Sequence, residues 1–156
     1  MDQLTAHLQM RLLEKGGAVP YELLLLADPS RELIDSYIFD STCYIAYLDQ
    51  TAVGVYVLQE QAHIAEIKNI AVPEQYQGKG IGKYLLHHAC RMAKEKGWSR
   101  IRIGTGNSSV GQLYLYQQQG FEMTAIVKDF FTRHYPDPIY ENGIACKHMV
   151  LLEKIL

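Results

Sequence analysis

The residues best placed to do chemistry are three glycines, Gly78, Gly80 and Gly82, which follow the apolar run Ile70-Ala71-Val72 and lead straight into a helical pattern. The first turn of a helix leaves backbone N–H groups unpaired at a partly positive end. A glycine turn lets a phosphate reach those donors with no Cβ in the way. Gln77, Gly78, Lys79, Gly80, Ile81, Gly82 and Lys83 therefore read as an anion cradle, the alternative being a flexible turn before a helix. The spacing is neither GxGxxG nor GxxxxGK[ST]. The acidic residue that a dinucleotide fold needs about twenty positions further on is also missing, which argues against a flavin or nicotinamide oxidoreductase. Cys43, Cys90 and Cys146 form no CxxC pair and have no histidine at ligand spacing, so they read as reduced thiols and no metal site is expected.

The elements that hold this loop follow from periodicity. Pro20 and the apolar run after it predict a helix over Tyr21–Ala27, and Ser30 caps a second from Arg31 to Tyr37. Residues 44–48 and 52–58 read as a hairpin about Asp49-Gln50, and 63–72 as a third antiparallel strand. Strict alternation along that strand would put Glu66, Lys68, Ile70 and Val72 on one face. Ile81, Leu85, Leu86, Ala89, Met92 and Ala93 recur at helical steps until Gly97. A strand over 101–105, a helix over 109–119, and strands over 121–132 and 144–152 complete the chain. Strands first and strand–helix alternation later indicate a mixed α+β fold, a mostly antiparallel sheet flanked by about four helices, in a single domain spanning residues 1–156.

This order of elements, with Gln77-Gly-Lys-Gly80-Ile-Gly82 after a strand and Leu115-Tyr116-Gln-Gln-Gln-Gly120-Phe121 later, resembles the GNAT superfamily of N-acyltransferases, whose loop signature is Gln/Arg-x-x-Gly-x-Gly/Ala. The resemblance is close over residues 44–121 and holds only in outline at both ends. It implies acetyl-CoA as co-substrate and no metal. The amides of Gln77 to Lys83 would hold the pyrophosphate, and a strand splayed from its neighbour would offer Ile70, Ala71 and Val72 to the pantetheine. It implies that Tyr116 approaches the cofactor sulfur as general acid or thiol-orienting group, with Tyr114 as a fallback. The alternative for Tyr116 is a half-buried helix aromatic. Glu66, six residues before Val72, matches the general base of the histone-acetylating branch, acting directly or through one water, or else is a strand carboxylate paired with Lys68. Asn107 or Ser109 would meet the cofactor arm, although Asn107 stands two residues further from Tyr116 than the usual asparagine and Ser109 also suits an N-cap.

The expected activity is transfer of an acetyl group to a primary amine of a small molecule or protein by direct attack in a ternary complex, the alternative being a non-catalytic acyl-CoA sensor. The resemblance implies that the loop over 133–142 lies near where substrate enters and could wall the acceptor, with Asp137 and Glu141 suited to a cationic amine, the alternative being a solvated connection. Of 156 residues, 48% are hydrophobic and 21% charged, which is enough for one core. Fifteen Lys and Arg against seventeen Asp and Glu, with no basic run, argue against a nucleic-acid partner. No apolar run approaches membrane-spanning length and residues 1–10 lack a leader's apolar core, so a cytoplasmic monomer or homodimer is expected.

Overall fold

A computed structural model of the chain describes residues 4–156; residues 1–3, part of the stretch read for a leader, lie outside the described residues. Seven strands form the main sheet: β1 (Gln9–Leu12), β2 (Thr42–Leu48), β3 (Thr51–Glu60), β4 (Ala65–Ala71), β5 (Arg100–Gly106), β6 (Glu122–Val127) and, after two short strands, β9 (Met149–Ile155). Their order is β1-β2-β3-β4-β5-β9-β6. Every neighbouring pair is antiparallel except β4 and β5. The short strands β7 (Tyr140–Glu141) and β8 (Ile144–Ala145) make a hairpin of their own through Asn142-Gly143, both at positive φ.

The helices are α1 (Tyr21–Ala27), α2 (Arg31–Ile38), α3 (Ile81–Glu95), α4 (Val110–Gln118) and the five-residue α5 (Phe130–His134). Ser30 accepts from the Leu33 N–H and starts α2 as its sequence indicates. One apolar cluster lies under α3 and α4, with Leu85, Leu86, Ala89 and Tyr116 packed on Tyr56, Ile67 and Ile103. A second lies under α1 and α2, with Leu24, Ile34 and Tyr37 on Ile45, Val55 and Val57. No helix among the described residues is long and apolar enough to cross a membrane.

The structure adds one strand to the expected set and corrects three expectations. β1 had no sequence signal, because Gln-Met-Arg-Leu is largely exposed at a sheet edge and carries no alternation. The run 121–132 is a strand only to Val127: Asp129 turns the chain at φ 58°, and Phe130, Phe131 and Thr132, strand-like in composition, wind into α5. The run 144–152 is broken between β8 and β9. Finally, β4 carries a bulge, with Asn69 opposite Val57 and Ile67 opposite Leu58, so Lys68 is the extra residue. Beyond the bulge the faces exchange: Ile70 and Val72 join Ile67 against the α3 cluster, while Ala71 joins the α1 cluster. Glu66 therefore does not share a face with Ile70 and Val72.

Candidate active site

β4 and β5 pair only from Ala65↔Ile101 to Ile67↔Ile103, although β5 continues against β9 as far as Gly106. The two strands part at the bulge, and the gap opens into the middle of the sheet. On one side of the gap a cleft of about 610 Å³ is lined by Ile70, Ala71, Val72, the glycine loop and one side of α4. Of the sequence-predicted residues it brings together Ile70, Ala71, Val72, Gln77, Gly78, Gly80, Ile81, Gly82, Lys83 and Tyr116. Lys79 is exposed and stands outside this wall.

The loop is built for close approach. Gly78 and Gly80 sit at φ 75° and 86°, a region that a side-chain-bearing residue enters only with strain. The side-chain Nε2 of Gln77 donates to the Val72 carbonyl at 2.9 Å and closes the turn. Gly80 is the N-cap of α3 and no side chain caps that end, so the first-turn N–H groups remain open donors at the positive end of a 15-residue helix. That is the donor set a pyrophosphate requires.

On the other side of the gap lies a second cavity of about 550 Å³, whose walls include residues 66–70 of β4 and 103–106 of β5. The cleft and the cavity share Ile70, Gln112 and Tyr116. Gln112 was not anticipated, but it stands one turn before Tyr116 on the same face of α4, and that spacing was the available signal. Tyr116 is 4% exposed, and burial raises its phenol pKa above the ordinary tyrosine value. Its hydroxyl has no hydrogen-bond partner among the described residues. Tyr114 is 66% exposed and lies at neither opening.

Glu66 lines the second cavity. Its Oε1 accepts from Gln61 at 3.1 Å and lies 4.0 Å from Arg102, while Oε2 is 3.3 Å from Lys68. Ser109 lines the same cavity and, instead of capping α4, donates to Glu141 at 3.3 Å. Asn107 reaches neither space. Its amide donates to the Ala145 carbonyl, and its carbonyl oxygen accepts from the N–H groups of Lys147 and His148, so the side chain is consumed in tying β8 to β9. Of the loop over 133–142, Tyr135, Ile139 and Glu141 line the cavity and Asp137 does not.

Cys146 also lines this cavity, and burial raises its thiol pKa. Cys43 is buried in the α1 cluster and pushed up to about 12. Among the described residues, no three His, Cys, Asp or Glu side chains are grouped to hold a metal.

Residues 17–121 match the acetyltransferase (GNAT) family. The uncharacterized N-acetyltransferase YvbK of Bacillus subtilis (strain 168) is 49% identical over 146 residues, 93% of this chain and 94% of that protein. A GNAT family acetyltransferase from Elizabethkingia anophelis, solved with acetyl-CoA bound, superposes with a TM-score of 0.93 at 48% identity, covering 96% of this chain and 99% of the other. The IAA acetyltransferase from Bacillus cereus ATCC 14579 superposes at 0.92 with 47% identity over the same shares.

Proposed function

The chain belongs to the acetyltransferase (GNAT) family and is an acetyl-CoA-dependent acyltransferase; from that premise we propose that the whole chain, acting as one domain, transfers the acetyl group to a primary amine by direct attack in a ternary complex. The observation that carries this reading is the meeting of two spaces at Ile70, Gln112 and Tyr116. One space is floored by an anion cradle, and the other is open to a second molecule.

In the proposed reaction the phosphates lie on the amides from Gln77 to Lys83, except that Lys79 contributes its charge from the rim. The pantetheine runs along Ile70, Ala71 and Val72 in the gap left by the splayed strands. The amine enters from the second cavity and must be neutral to attack the thioester carbon. Its proton leaves towards Glu66, through one water because both oxygens of that carboxylate are already held by Gln61, Lys68 and Arg102. As the C–S bond breaks, charge collects on sulfur, and the Tyr116 phenol, kept protonated by burial, returns a proton to it. Ser109 acts one step away from the cofactor, by orienting Glu141.

Direct attack is favoured over an acetyl-cysteine intermediate. Cys146 is the thiol nearest the chemistry, and a raised pKa leaves little thiolate to act as nucleophile at neutral pH. Initial rates of thiol release, with acetyl-CoA and amine both varied, test the proposal. Intersecting double-reciprocal lines are expected, whereas parallel lines would indicate an acyl-enzyme. The panel should hold small and protein amines together with the acceptor of the Bacillus cereus relative. No thiol release with any amine, in protein whose melting point acetyl-CoA raises, would return the chain to the acyl-CoA sensor reading.

A further inference from the structure

Attack of an amine on a thioester moves charge at three atoms, and the proposed roles cover two of them. Glu66 receives the amine's proton through water, and Tyr116 returns a proton to sulfur. Negative charge also gathers on the carbonyl oxygen as the amine adds, and a donor aimed at it lowers the barrier. Such a donor must stand where the cleft and the cavity meet, and among the described residues only Ile70, Gln112 and Tyr116 line both. The Ile70 side chain is apolar and the Tyr116 hydroxyl serves the sulfur. Gln112 carries the remaining side-chain N–H.

Two independent features of α4 set Gln112 apart. The first is hydrogen bonding: the helix and the residue that ends it hold four glutamines. Gln117 donates to the Leu113 carbonyl at 2.9 Å, Gln118 donates to the Tyr114 hydroxyl at 3.0 Å, and Gln119 Oε1 lies 2.7 Å from His87 Nε2. The carboxamide of Gln112, the one glutamine of the four that lines the cleft and the cavity, has no hydrogen-bond partner among the described residues. Nearby polar side chains do not compete for it, since Ser109 is held by Glu141 and Asn142 by the Ser108 carbonyl. Water solvates an open carboxamide in an empty site, but once two substrates fill the cleft and the cavity it must bond to one of them or bear the cost of desolvation.

The second feature is placement. Gln112 precedes Tyr116 by four residues, so the two are neighbours on one helix face with Cβ atoms about 5–6 Å apart. The sulfur and the oxygen of a thioester are bonded to the same carbon, so a group one turn from the sulfur's proton donor is set to reach the oxygen. Resting on the acetyl-transfer reading, we propose that Gln112 is a further catalytic residue whose Nε2 donates a hydrogen bond to the thioester carbonyl oxygen and holds it while it is charged. No proton is transferred at Gln112. The C–N bond forms and the C–S bond breaks, the amine's proton leaves towards Glu66, the Tyr116 proton goes to sulfur, and the oxygen ends as the carbonyl of the product amide.

Gln112→Met keeps the length of the side chain and its helix propensity but removes the N–H. With folding checked by its melting curve, its kcat should fall ~100-fold, as for loss of one oxyanion donor, while its acetyl-CoA dissociation constant rises by no more than about tenfold, as for one neutral hydrogen bond. CoA, which has no acetyl carbonyl, should bind both proteins equally. Gln112→Glu, of the same shape but negatively charged, should be slower than Gln112→Met. Isotope-edited infrared spectra of acetyl-CoA bound without acceptor read the contact directly: the carbonyl band should lie at lower wavenumber in the wild type than in Gln112→Met. The same band position in both proteins, an unchanged kcat, or an effect confined to the KM of the amine overturns the proposal. A band difference in a protein that acetylates no amine keeps the Gln112 contact and sinks acetyl transfer, whereas turnover undiminished in Gln112→Met does the reverse.

Discussion

Tyr116 is the residue at which cleft and cavity meet, and in the proposed reaction burial decides what it does there. A phenol with a raised pKa holds its proton at neutral pH, so it meets the departing sulfur as a donor, with the proton shared as negative charge develops there. Tyr116→Phe should therefore lower kcat by ~100-fold, the lower end of general acid–base effects, while the acetyl-CoA dissociation constant changes by less than about twofold because the hydroxyl matters only as charge develops on sulfur. Stopped-flow turnover beside calorimetry checks the split, and a parallel loss of affinity would make the tyrosine a wall and not an acid. Glu66→Gln should depress the rate most at low pH and recover towards wild type as pH rises, since the fraction of amine already neutral in solution grows with pH; a small effect that is flat across the pH–rate profile would return Glu66 to its pairing with Lys68. Tyr116 and the glycines are legible in the sequence because motif and spacing point at them. The fate of Asn107 is not, because its side chain is claimed by backbone groups 38, 40 and 41 positions away. Nor could sequence show that Asp28 meets Tyr135, a contact across 107 positions.

The loop–helix element carries its own test, because two of its glycines differ in backbone conformation. Gly80 sits at φ 86°, where a methyl group would have room, with its nearest contact at 3.7 Å, but the backbone would be strained. Gly80→Ala should cost roughly 1–2 kcal/mol of stability and weaken acetyl-CoA binding as the cradle shifts. Gly82 lies inside α3, so Gly82→Ala should add about 0.5 kcal/mol through helix propensity and leave cofactor affinity nearly unchanged, the new methyl meeting Leu115 at an ordinary 3.5 Å. Calorimetric melting with and without acetyl-CoA checks the pair, and equal losses in both variants would refute the distinction. Further along α3, His88 is buried with its Nδ1 2.6 Å from the Tyr56 hydroxyl, and burial, helped by Arg91, lowers its pKa below the ordinary 6.5. The unfolded chain then binds the proton first, so stability present above about pH 6.5 should fall as pH drops towards the folded pKa. Urea midpoints at pH 7.5 and 5.5 should differ more in the wild type than in His88→Gln. Elements with strong periodicity, α3 above all, were legible. The bulge at Lys68 was not, because a single extra residue leaves the apolar alternation almost intact while exchanging the faces beyond it. Edge position hid β1, and aromatic composition disguised α5 as strand.

At the scale of the molecule, β1 to β4 and the set β5, β9 and β6 are joined across the sheet by only the three β4–β5 pairs, with α3 packed over β3, β4 and β5. The mixed sheet was legible from the order of elements, but the parting of its central strands entered only through the resemblance, since nothing in alternation distinguishes a paired strand from a splayed one. A molecule divided in this way gains most from a ligand that fills the seam, because beyond Ile67 the β5-facing edge of β4 has no strand to pair with. At 100 times its dissociation constant, acetyl-CoA should add about 2.7 kcal/mol of stability, raising the melting point of a chain of this size by roughly 5–10 °C. The gain should also be local. Amide hydrogen exchange at residues 68–72, beyond the last β4–β5 pair, and at 78–83, in the cradle, should slow markedly on binding CoA. Amides of β2 and β3, already paired on both sides, should change little beyond the global gain. Uniform protection across the sheet would mean that the ligand acts only through overall stability, and protection confined to residues 78–83 would show the phosphates bound but the pantetheine outside the gap, a geometry in which the thioester could not reach Tyr116.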